Sequence, residues 1–132
     1  MVNKGRRMSE FEDGTSKTAA ISEIRNVPGQ DTRGVLHFGA GVMYMHDFPP
    51  NYVEKPYDYT RWCEPSFHYA PCQLSTETWK GQWRHYARSA HPNGVNLMLA
   101  DTSARFISDD IDDLTWQAIA SADGAEVISD DF

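Results

Sequence analysis

The chain has 132 residues, room for one domain with its own core and too few for two. Acidic residues outnumber basic ones 19 to 12 for a net charge of −7, and the basic residues are scattered apart from Lys4, Arg6 and Arg7, which argues against a nucleic-acid partner. No apolar run approaches the roughly 18 residues needed to cross a bilayer, and Met1–Glu10 lacks the apolar segment and cleavage site of a secretory signal.

Residues 1–12 are polar, mixed in charge and aperiodic, and are expected to be loosely held, with one globular domain over 13–132. Asp13 and Gly14 open a turn, after which residues 18–24 (TAAISEI) read as either a strand or a short helix, the strand being favoured because the apolar stretch is short and ends at the breaker Val27-Pro28-Gly29. Residues 34–45 (GVLHFGAGVMYM) combine β-branched and aromatic residues with Gly39 and Gly41, which predicts a strand with a bulge or bend. From Pro49 to about Ala87 the chain is irregular but rich in aromatic residues, so it is expected to pack its rings onto the sheet rather than to be disordered.

Within that stretch lie Cys63 and Cys72, close together and flanked by Pro65 and Pro71. A local disulfide is the expected state, and free thiols or a metal site of Cys63, His68 and Cys72 with His85 stay open, although the spacing is not a usual zinc pattern. Alternation then sharpens: Val95, Leu97 and Leu99 interleave with Asn96 and Met98, Asp101-Thr102-Ser103 breaks the run, and residues 104–108 resume it, a β-hairpin signal. Asp109 and Asp110 are placed to cap a helix carrying Ile111, Leu114, Ala118 and Ile119 at helical spacing, which should end near Gly124 before a short last strand.

Residues 91–96 (HPNGVN) followed by 100–107 (ADTSARFI) resemble the signature His-x(9)-Asp-Gly of a large planctomycete family. The family is known as domain of unknown function 1559 or solute-binding protein family 10, with prepilin-type processing. Residues 13–18 (DGTSKT), Glu23, residues 31–34 (DTRG), Pro71-Cys72, residues 87–91 (ARSAH), Trp116 and residues 124–128 (GAEVI) agree with it in order. The resemblance implies an α+β, pilin- or pseudopilin-like antiparallel sheet with a long irregular aromatic-rich loop and a short C-terminal helix. It also implies a cell-envelope location. Two departures stand out: Thr102 replaces the glycine of the signature, and the leader and long apolar N-terminal helix usual in the family have no counterpart, which reads as a fragment, a truncated product or a headless form.

The motif residues that follow from the resemblance are His91, Asp101, Asn96, Asp13, Gly14 and Glu23. His91 and Asp101 flank one strand, roughly 30 Å apart if fully extended, so a structural role is expected: Asp101 closing the hairpin turn and His91 bonding nearby backbone. Calcium at Asp109, Asp110, Asp112 and Asp113 is a second idea, taken from related pseudopilin heads, although the spacing of a calcium loop is missing. No nucleophile elbow, zincin motif, P-loop or dinucleotide fingerprint is present, so no catalytic residue is assigned and an enzyme is not expected. The leading expectation is an interaction domain for a protein partner or a pilus-like assembly. The alternative is a solute- or carbohydrate-binding module whose Trp62, Trp79 and Trp83 stack on sugar faces.

Overall fold

The computed structural model describes residues 5–55, 57–76, 83–124, 126 and 132. Its centre is the strand β4 (Gly94–Leu99), which pairs antiparallel on one side with β1 (Ala19–Ser22) and on the other with β5 (Ala104–Ser108). The alternation in β4 explains its position: Val95, Leu97 and Leu99 are wholly buried on one face while Asn96 faces solvent. Short helix α1 (Asp113–Ala118) covers that face, and Trp116 and Ile119 close the core with Ala87 and Ile107. Each fully buried Leu or Ile in this cluster contributes roughly 1.5–3 kcal/mol of burial.

Asp112, rather than Asp109 or Asp110, caps α1 by accepting from the Thr115 amide at 3.0 Å. His46 stacks on the Trp116 indole with ring centroids 3.6 Å apart, sealing the core from the loop side. The strand expected after Gly124 falls almost entirely outside the described residues.

The segment predicted as a bent strand over 34–45 is not one. It forms tight turns and a 3-10 helix at Gly39–Val42, and it touches strand structure only through an isolated bridge between Met45 and Tyr86. The reason lies at Gly41, whose Cβ position collides with the Thr32 carbonyl and whose own carbonyl accepts from Gly34 at 2.9 Å. The two glycines bring the chain close against the turn at 31–34 instead of extending it.

The stretch from Pro49 to Ala87 is less irregular than its composition predicts. It holds β2 (Asp58–Thr60) and β3 (Cys72–Leu74), a parallel pair in register Asp58 with Cys72 through Thr60 with Leu74. A Cys63–Cys72 disulfide, with Cα atoms 6.4 Å apart, ties the loop leaving β2 to the start of β3. This excludes the free-thiol and zinc readings of Cys63 and Cys72. Together the elements make an α+β domain, and no helix among the described residues is long and apolar enough to cross a membrane.

Thr102 sits at φ 73°, where a β-branched residue is strained and glycine is not. Thr102→Gly should raise stability by about 1 kcal/mol in urea unfolding, and a variant no more stable than the parent would mean the turn carries no strain. Burial pushes His46 down to about 4. As pH falls below about 6.5 the unfolded chain takes a proton that the folded chain refuses, so stability should drop between there and pH 4. His46→Phe should flatten that part of the pH dependence, read from denaturation midpoints at pH 7 and pH 4.5.

Candidate functional site

Beneath the irregular half of the domain lies a group of buried charges. Arg33 forks onto Asp31 through Nε at 3.0 Å and Nη2 at 2.7 Å, and its Nη1 donates to Asp58 at 2.8 Å and to the Ala70 carbonyl at 2.6 Å. Asp58 also accepts from Arg88 Nε at 3.1 and 3.2 Å and from the Tyr86 amide at 3.2 Å. The side chains of Asp31, Arg33, Asp58 and Arg88 are at most 1% exposed. Two carboxylates thus offset two guanidinium groups in a water-excluded volume.

Burial works to raise the Asp31 carboxyl, but hydrogen bonds from the Arg33 side chain and backbone and from the Glu64 amide prevail and hold it below the ordinary range. Burial likewise opposes the charge on Arg33, and its bonds to Asp31 and Asp58 more than restore it. Burial lowers the neighbouring His85 as well, keeping it neutral beside the cluster. The arrangement gives the cluster a structural use: it joins the turn at 31–34, β2, the disulfide loop and the segment entering β4. No motif spacing marks Asp58 in the sequence. The only legible signal was that 31–34 and 87–91 are stretches with family counterparts.

The residues singled out by resemblance gather in three small networks around the hairpin. Glu23 is the hub of the first: its carboxylate accepts from the Asn96 amide at 2.7 Å and Asn96 Nδ2 at 3.3 Å, and lies 3.2 Å from His91 Nε2. The His91 side chain therefore meets a carboxylate across the sheet, not the nearby backbone. Asp101 closes its turn by accepting from the Ser103 amide at 2.9 Å and its hydroxyl at 2.6 Å, and those bonds hold its carboxyl below the usual range. Asp13 accepts from the Gly124 amide at 2.9 Å beside Gly14 at φ 94°, tying the first turn to the chain after α1. His91 and Asp101 do not share a site.

The aspartates of the calcium expectation are divided among different partners. Asp109 is turned inward, where burial raises its carboxyl and Asn51 Nδ2 donates to it at 2.8 Å, while Asp112 is engaged in capping α1. Asp110 and Asp113 then remain without a third ligand, and among the described residues no three His, Cys, Asp or Glu side chains are grouped to hold a metal ion. The aromatic surface also divides. Trp62 is 47% exposed, whereas Trp83 packs against Phe38 with centroids 5.3 Å apart and its indole nitrogen is buried. Trp79 lies outside the described residues.

The model of a family described as SBP_bac_10, protein of unknown function (DUF1559), matches residues 1–114. The chain belongs to this family. The match takes in the buried cluster, the disulfide and the whole hairpin of this DUF1559 domain, and it stops short of the motif resemblances at Trp116 and at residues 124–128. No curated protein and no solved structure matches the chain.

The cluster makes a sharp stability prediction. Asp58→Asn keeps the volume but leaves Arg33 and Arg88 without their shared anion, and should cost about 3–5 kcal/mol in urea unfolding. A loss under about 1 kcal/mol would show that the cluster holds nothing together. Because Asp31 is depressed in the fold, its contribution is complete above the unfolded carboxylate value of about 3.9 and disappears as pH falls through its lower folded value.

Proposed function

We propose that this DUF1559 domain is a non-enzymatic interaction head of a prepilin-like envelope protein, with a pilin-like sheet and an irregular lobe that contacts a protein partner. The carrying observation is that a disulfide and a four-charge cluster tie together the loops that expose Trp62 and, at 63%, Tyr69. Pre-organised loops lose little entropy when they bind, and aromatic side chains supply large contact area at low cost in freedom. The Cys63–Cys72 bridge suits an oxidising compartment outside the cytoplasm.

A carbohydrate-binding reading has one observation in its favour. Trp62 borders an open depression of about 340 Å³ with the exposed Gln30 on its wall, an apolar face beside a polar side chain. With Trp83 turned into the protein, this reading rests, among the described tryptophans, on the exposed ring of Trp62.

Photo-crosslinking in native envelope fractions separates the two. A crosslinker at Tyr69 or Trp62 should yield one discrete protein adduct, and one at Leu114, exposed on α1, should yield none. Equal adducts at both places, or none, would remove the partner surface. Glycan-array binding abolished by Trp62→Ala would establish the carbohydrate reading instead.

A further inference from the structure

Arg88 is the unsettled member of the buried cluster. Only its Nε is used, on Asp58, and both Nη nitrogens are buried with no hydrogen-bond partner. An orphaned guanidinium fork is costly, because each desolvated donor gives up its bonds to water without replacement. The same Arg88 lines a groove of about 400 Å³ formed by residues 23–26, Pro28, Phe67, Ser89 and Ala90. That volume falls in the range of small-ligand sites.

A second guanidinium stands in this groove. Arg25 donates from Nη1 to the Ser89 carbonyl at 2.7 Å and is held over the rings of Phe67 and Tyr69, 5.3 and 5.2 Å from their centroids. The stacking fixes its plane while its remaining donors meet no protein acceptor among the described residues. The one carboxylate lining the groove, Glu23, is already occupied by Asn96 and lies beside His91.

We infer that this groove is a carboxylate-binding site, with Arg25 making the contact at the rim and Arg88 the contact on the floor. A planar monoanion matches two guanidinium forks in shape. A phosphate dianion suits the groove less well, since Asp58 offsets Arg88 and Glu23 stands near Arg25. The carboxylate could belong to a small organic acid or to the free end of a peptide chain. The site stands whether or not the aromatic surface binds a protein.

The test uses the intact chain and NMR of the arginine Nε–H and Ser89 amide signals at constant ionic strength. The probes are acetate and a short neutral peptide with either a free or an amidated C-terminus. Acetate should give saturable shifts at Arg25, Arg88 and Ser89, and Arg25→Gln should weaken binding about tenfold while signals elsewhere stay those of the folded parent. Arg25→Lys, which keeps the charge but loses the fork, should fall between the two. Saturation by the free-acid peptide and not by acetate would assign the site to a chain end. Shifts that do not saturate at tens of millimolar, that chloride reproduces, or that the amidated peptide produces equally would overturn the assignment.

Discussion

Asp58 places one carboxylate between two guanidinium groups, and half of the domain is arranged around that contact. The sheet-and-helix half needs no such device, since Val95, Leu97, Leu99, Ile107, Trp116 and Ile119 give it an apolar core. Among the described residues the other half has two strands of three residues and little apolar burial, so its loops need directional bonds. Arg33 supplies them by reaching two carboxylates and a carbonyl at once, which a lysine with its single point charge would not do. The disulfide acts beside it, shortening the loop between β2 and β3 in the unfolded chain as well as the folded one.

Buried ion clusters are weak sources of net stability, because desolvation consumes much of the Coulombic gain. What this cluster provides is discrimination among arrangements. A loop lobe packed by apolar contacts alone could settle in many ways, whereas a misplaced Asp58 would leave two buried cations unpaired. The same logic explains the inward turn of Asp109: paired with Asn51, itself at φ 54°, it joins the hairpin's far end to the segment before β2.

The hairpin was legible because alternation in 94–99 reports directly on which face is buried, and the Asp101 turn because an aspartate at that position has a local hydrogen bond to make. Residues 34–45 were not, since an apolar run with two glycines carries the same composition whether it extends or coils, and what decides between them is the approach of Thr32 to Gly41. The charged cluster was hidden for a stronger reason. Asp31, Asp58 and Arg88 lie far apart in the chain, and a buried charge has the same letter as a solvated one. The aspartates at 109–113 misled in the opposite direction: a local run of acids looks like a cation site until the backbone divides them among different partners.

Thr102 holds φ 73°, a conformation that glycine adopts without strain and a β-branched residue does not. The turn survives because Asp101 binds both the amide and the hydroxyl of Ser103, and because its amide donates to Thr15 at 3.0 Å while Ala100 donates to Thr18 at 2.8 Å. Those bonds anchor the hairpin tip to the turn that begins with Asp13-Gly14, so two separated motif stretches stabilise one another.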